Sequence, residues 1–384
     1  MPWTIHPDGS FDLLSPNGAL RGCWPAWDHV PLRPLRVEVG ADTITWHLPR
    51  GLVRIRLGSG PTGATLDCRL EGTGRTPRWF APVGAAVVEG FTHCYRQGMG
   101  FSGPAGCLAF ADLGKEWHQP SHLTLGLFTA DEATATITVH QHRDWLFRAD
   151  LRQSAWRHNF RNREIDETTR TCELGFRTEC VDPGAGIDLP TIHIAQGQGV
   201  FASLRRAMEG VATANHARSA FMGSAQSAPC YHWCSWYDRT EHLSQDLFTR
   251  FLDGLPTADP QRAIQTLQID DATCPSHGDW LDPTPNWPQT MEPGMRAITD
   301  RGYRAGIWIA PFMVGSESRL AAEHPDWLLH DHEGRRIVEW KHYDGHKRDR
   351  EHYILDSSHP DALAWIREVF ATYRRWGARF FKTD

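Results

Sequence analysis

The last five residues, Phe380-Phe381-Lys382-Thr383-Asp384, form an apolar run that turns polar and finishes on a carboxylate. In a β/α barrel the reacting side chains stand at the carboxyl ends of the strands. Strand parity puts Lys382 on the face of Asp384, so the two could be a nucleophile and a substrate-holding cation. The plainer alternative is a solvated Lys beside a terminal Asp. Asp270-Asp271 closes a second apolar run, Thr266–Ile269. Adjacent carboxylates there can accept hydrogen bonds from neighbouring hydroxyls of one ring, or simply make a turn or a helix cap. Trp308 lies in a third run, Arg304–Pro311, where its flat face could stack on a sugar or fill a core. Trp233, Trp236 and Tyr237 carry the same two readings on a first strand, Pro229–Tyr237.

Metal chemistry finds less support. Cys230, His232 and Cys234 share one face of that first strand, but no fourth ligand is evident. His324, His330, His332, His342, His346, His352 and His359 crowd a loop-rich stretch without the spacing of a helical zinc site, and a solvated surface is expected for them. Neither a metal nor an organic cofactor is expected.

The elements that must carry these residues change period along the chain. Residues 1–198 alternate apolar and polar positions in short runs, such as Leu35–Val39, Thr43–Leu48 and Leu52–Leu57, with Gly40-Ala41-Asp42 suited to a hairpin turn. A β-sandwich is expected there. Residues 199–226 form a helical connector around an apolar stripe of Leu204, Met208 and Val211. From 227 to 384, strands alternate with helices: Ser244 caps one, Glu292–Asp300 is closed by Gly302, and Pro360–Trp376 by Gly377. That alternation predicts a parallel sheet of four strands, the first half of an eightfold (β/α)8 TIM barrel. The expected class is thus multidomain, β followed by α/β.

Composition narrows the partners. The 40 basic and 46 acidic residues are interspersed and leave a net charge of −6, so no basic stripe calls for nucleic acid. No apolar run nears the roughly 18 residues of a membrane span. The start, Met1-Pro2-Trp3-Thr4-Ile5-His6, lacks the form of a signal peptide, and a cytoplasmic location is expected. Nine scattered cysteines then read as reduced, mostly buried thiols. Seventeen tryptophans suit either a sugar cleft or a large core.

Taken in order, WCSWYD (Trp233–Asp238), LQIDDA (Leu267–Ala272), GDWLDP (Gly278–Pro283), AGIWIAPF (Ala305–Phe312), EHPDWLL (Glu323–Leu329), YILDSSHPDALAWI (Tyr353–Ile366) and FFKTD resemble glycoside hydrolase family 36, the α-galactosidases of clan D. The resemblance implies a retaining exo-hydrolase acting on terminal α-galactosides of oligosaccharides. Asp384 would be the nucleophile of a K-x-D motif; Lys382, Asp270, Asp271 and Trp308 would hold the ring, with Trp236 and Tyr237 near the site. Two departures matter. Ala272 is followed by Thr273 where the family often has an aromatic residue. The family's acid/base is an Asp on a later strand, expected beyond Asp384, so residues 1–384 alone are expected to show negligible turnover. Raffinose-synthase-like galactosyl transfer and a non-catalytic sugar-binding remnant stay open as alternatives, as does self-association of the full-length protein.

Overall fold

The computed structural model describes residues 2–60, 62–74, 76–99, 103–153, 169–179, 181–217, 231–257, 264–331, 333–346 and 349–384. They fall into two compact units, Met1–Ser219 and Ala220–Asp384.

In the first unit the period-two pattern becomes two antiparallel sheets. Along Gly51–Gly60, Val53, Ile55 and Leu57 are buried while Arg54 and Arg56 face solvent. One sheet runs Trp3–Ile5, Phe11–Ser15, Gly18–Trp27, Trp79–Glu89, Arg170–Arg177, Phe147–Gln153 and Trp117–His122, with Val30–Pro31 paired to the third strand. The other runs Gly106–Ala109, His93–Arg96, Thr124–Phe128, Ala133–Val139, Gly184–Gln198, Gly63–Gly72, Gly51–Gly60, Thr43–Leu48 and Arg36–Val39. Their inner faces share a single core, as in a sandwich. Trp24 of the first sheet meets Trp46 of the second edge to face at 5.6 Å. The helix Val200–Ala214 lies on the Ala133–Val139 and Gly184–Gln198 strands, where Ser203 Oγ is 2.7 Å from Thr134 Oγ1. The expected helix therefore packs as part of this unit, and it stops at Ala214, where Asn215 Nδ2 donates to the Val211 carbonyl.

The second unit is built on four parallel strands that are spatial neighbours in chain order: His232–Cys234, Thr266–Ile269, Arg304–Ile309 and Ala378–Thr383. Helices Gln245–Asp253, Glu292–Asp300 and Pro360–Trp376 fill the three connections. Each has a local reason to begin or end where it does. Ser244 Oγ accepts the Leu247 N–H, Pro360 starts the last helix behind the His359 cap, and Gly377 ends it at φ 114°, a conformation open to glycine. Phe248, Leu252, Met295, Ile298, Val369 and Tyr373 pack these helices onto Leu267, Ile269, Ile307 and Ile309. Parallel pairing points all four carboxyl ends the same way, which gathers the candidate residues.

Two segments differ from the sequence reading. The first strand covers only His232–Cys234, because the Ser235 hydroxyl takes the Asp270 N–H and the chain turns there into a short helix, Trp236–Arg239. Trp236 and Tyr237 therefore do not lie on a strand. Cys230, the first of the three residues weighed as metal ligands, lies outside the described residues. The histidine-rich stretch is also more ordered than expected. Val338–His346 and Asp349–Ile354 form a hairpin that adds Met313–Gly315 in a three-stranded antiparallel sheet. His352 is 0 % exposed there, so it is no surface histidine. Among the described residues no helix is long and apolar enough to cross a membrane, and Cys23, Cys68, Cys94, Cys172 and Cys274 are buried and in no disulfide.

Candidate active site

The carboxyl ends of the second, third and fourth strands bring together Asp270, Asp271, Trp308, Lys382 and Asp384. Each carboxylate has its own tether. Asp270, 2 % exposed, accepts at Oδ2 from Lys382 Nζ at 2.9 Å, Gln268 Nε2 at 2.8 Å and Cys234 Sγ at 3.2 Å. Its Oδ1 accepts the Asp271 N–H at 3.0 Å. Asp271 accepts at Oδ2 from His277 Nε2 at 2.9 Å. Asp384 accepts at Oδ2 from Trp308 Nε1 at 3.0 Å, and its backbone N–H continues the sheet to the Ile309 carbonyl at 3.2 Å.

Burial and charge set the ionisation. Burial pulls Lys382 down, but its hydrogen bond to Asp270 and the charges of Asp270, Cys234 and Asp384 outweigh that, and the ammonium titrates above its ordinary 10.5. Burial first, then Asp270, pushes the Cys234 thiol up to about 11, so it stays protonated and able to donate.

The loop that leaves the second strand is pinned by the histidine-rich insertion. His277 Nδ1 meets His352 Nε2 at 2.9 Å. Ser276 Oγ lies 2.9 and 2.8 Å from the two oxygens of Asp349, and Asp349 Oδ1 also takes the Glu317 N–H at 2.8 Å. Gly315 makes room for this contact, since a Cβ there would stand 2.2 Å from Asp349 Oδ2. Asp349 and His352 are both 0 % exposed, and burial raises the Asp349 carboxyl above its ordinary range. Asp279 caps the short helix Arg319–Glu323 by accepting the Arg319 and Leu320 N–H groups.

Not every sequence candidate joins this cluster. Trp233 stacks on Phe251 at 4.1 Å and is core. Trp236 is half-buried, and Tyr237 is 88 % exposed; neither makes any of the contacts above. Trp308 is 7 % exposed and packs edge to face on Trp280 at 5.8 Å, so it is both core and carboxylate holder. Reading the sequence missed His277 and His352. Only the nearness of His277 to the Asp pair could have marked it; nothing in the spacing of His352 does so.

For a metal, the donor set that comes together is Asp271, Cys274 and His277, whose ligand atoms lie within 4.8 Å of one another. Both ring nitrogens of His277 are already engaged, by Asp271 and by His352. The cluster is therefore a hydrogen-bonded core in which a cation would have to displace one of these contacts. The Cys234 thiol faces Asp270 instead.

A buried acid pair, a cation and a tethered carboxylate thus stand together at the ends of parallel strands. Residues 267–376 match the melibiase family model. Over 117 residues the chain is 28 % identical to α-galactosidase AgaA of Geobacillus stearothermophilus, and over 60 residues 38 % identical to probable α-galactosidase G of Emericella nidulans. Those matches take in 28 % and 14 % of this chain but only 15 % and 8 % of the relatives. Among solved structures, the Thermus thermophilus α-galactosidase TtGalA bound to p-nitrophenyl α-D-galactopyranoside superposes with a TM-score of 0.57 at 22 % identity, covering 88 % of this chain and 63 % of that one. A family 36 AgaA variant from G. stearothermophilus bound to stachyose gives a TM-score of 0.54 at 15 % identity, covering 99 % and 54 %. The similarity to the melibiase family thus rests on residues 267–376, and the superpositions show a shared fold. The chain spans between about half and two thirds of the length of these structural relatives.

Proposed function

We propose that the second unit is the first half of a (β/α)8 barrel carrying the nucleophile side of a retaining exo-α-galactosidase. Asp384 is the nucleophile: one oxygen is held by Trp308, leaving the other to attack the anomeric carbon as the glycosidic bond breaks. Water then releases galactose from the covalent intermediate. Asp270 and Asp271 accept hydrogen bonds from hydroxyls of the galactose ring, and Lys382 both fixes Asp270 in place and donates to the sugar. The observation that carries this reading is that each of the three acids has its own side-chain tether, the strand-end carboxylate being held by Trp308. Retaining hydrolysis needs a second carboxylate about 5–5.5 Å from the first. Asp270 and Asp271 are engaged by Lys382 and His277, so the acid/base is assigned to neither. The substrate class follows the relatives, whose structures hold an aryl α-galactoside and stachyose: terminal α-galactosides of oligosaccharides.

An activated 5-fluoro-α-galactosyl fluoride tests this on residues 1–384 directly, because fluoride leaves without a proton donor. The expected result is one galactosyl adduct, mapped to the peptide ending in Asp384 and abolished by Asp384→Asn. Saturable galactose binding with no adduct would make the unit a sugar-binding one and remove the nucleophile assignment.

A further inference from the structure

His277 connects two tethers that otherwise look independent. Its ring is 3 % exposed, with Nε2 on Asp271 Oδ2 at 2.9 Å and Nδ1 on His352 Nε2 at 2.9 Å. The flat of the ring packs on Trp280 at 5.5 Å and 26°, and on Trp308 at 5.4 Å and 50°. Trp308 is the residue that holds Asp384. One imidazole thus bonds to one acid of the cluster and touches the indole that orients another.

The proton count fixes how it works. A carboxylate oxygen accepts, so the hydrogen of the Asp271 contact belongs to His277 Nε2. A 2.9 Å contact between two imidazole nitrogens holds one proton, because two opposed N–H groups would repel. The His277–His352 pair therefore carries at most one positive charge, and His352 sets which nitrogen of His277 is protonated. This is the outer-shell arrangement in which a second group fixes the tautomer and the angle of a working imidazole. Here the second group comes from the Val338–Ile354 hairpin, inserted between the third strand and the last helix.

We infer that His277 is a positioning residue for sugar recognition: it fixes which oxygen of Asp271 is presented to the ring hydroxyls, it steadies Trp308 behind Asp384, and His352 keeps it in the donating tautomer. The inference rests on the α-galactosidase reading of the site. It assigns specificity work to the histidine-rich insertion, which none of the proposed ring-holding or attacking groups comes from.

Two measurements decide it. The first is the rate of covalent labelling by the fluorosugar, separated into binding and inactivation constants, for the wild-type chain, His277→Leu, His277→Gln and His352→Leu. A hydrogen bond to a charged group is worth roughly 10- to 100-fold in affinity. The expected result is that His277→Leu weakens binding by about that factor. His277→Gln, whose amide nitrogen reaches the Nε2 position, should recover most of it. The leucine and glutamine variants should nonetheless lose similar thermal stability, since both break the His352 contact. Labelling of His277→Leu at the wild-type rate, or equal losses for leucine and glutamine, overturns the inference. The second measurement is the nitrogen-15 spectrum of the imidazoles at pH 7, which needs no sugar. A protonated His277 Nε2 and a single proton between the two rings are expected; an unprotonated Nε2 overturns the inference. If the wild-type chain resists the fluorosugar, the reading of the site fails, and the nitrogen spectrum still decides how Asp271 is held.

Discussion

Lys382 places its ammonium 2.9 Å from Asp270 Oδ2, joining the fourth strand to the second across the third. The carboxylate is 2 % exposed, whereas the lysine side chain keeps 32 % of its surface. The two partners therefore do not stand to lose equally when the pair is broken. Asp270 lies out of reach of solvent and depends on its protein donors; Lys382 could be solvated without the pair.

Lys382→Met should leave the buried Asp270 carboxylate with Gln268 and Cys234 as its side-chain donors among the described residues. Breaking a buried pair costs about 3–5 kcal/mol, and the partial exposure of Lys382 reduces that to about 2 kcal/mol. Lys382 titrates above its ordinary 10.5, so the pair's contribution is complete below that pH and is lost only as pH rises through the raised value. Urea denaturation at pH 7 should show the loss. The wild type should converge on the variant only in strong alkali, and a variant as stable as the wild type at neutral pH would show the pair contributes nothing.

Trp308→Phe keeps a ring against Trp280 and His277 but removes the donor to Asp384. Losing one hydrogen bond to a charged acceptor predicts a fall of roughly tenfold in the inactivation constant of the fluorosugar. The binding constant should change less, because the ring face remains. A variant altered only in binding would mean that Trp308 holds the sugar rather than the nucleophile.

The strands and helices of both units were legible because local rules and packing agree in them. Thr43–Leu48, Thr266–Ile269, Glu292–Asp300 and Pro360–Trp376 begin and end where periodicity and caps put them. Asp270, Asp271, Trp308, Lys382 and Asp384 were visible because strand ends are where a parallel sheet presents side chains. Trp236 and Tyr237 misled, because the turn after Cys234 depends on a hydroxyl, Ser235, that bonds to a residue 35 positions away. His277 and His352 stayed hidden for a similar reason: their meaning lies in a contact spanning 75 positions, which no local period encodes.

Asp349 offers a test of electrostatics apart from sugar. Burial outweighs the Glu317 N–H and the Ser276 hydroxyl and raises its carboxyl above the ordinary 3.8. A raised acid contributes its full stability below 3.8 and loses it as pH climbs through the raised value. Asp349→Asn cannot ionise, yet its amide oxygen can still accept from Ser276 and from the Glu317 N–H. The stability difference, variant minus wild type, should therefore move in the variant's favour between pH 3.5 and 7, as read from urea midpoints. A difference that is flat with pH would show that Asp349 does not titrate in this window.

Cys234 reports on Asp270 from the other side. Its thiol donates to the same oxygen as Lys382, and burial together with that carboxylate pushes it up to about 11. Iodoacetamide reacts with the thiolate, so alkylation near neutrality should be slow and should rise about tenfold per pH unit up to pH 10. Lys382→Met removes the neighbouring cation that favours the thiolate, and should slow the reaction further. A galactoside seated on Asp270 should protect the thiol, because the half-buried Cys234 is hydrogen-bonded to that carboxylate. Peptide mapping of alkylation at several pH values, with and without methyl α-galactoside, reads all three effects. A rate that levels off by pH 8.5 would place the thiol far below its inferred range and break the hydrogen-bond assignment on which the Asp270 cluster rests.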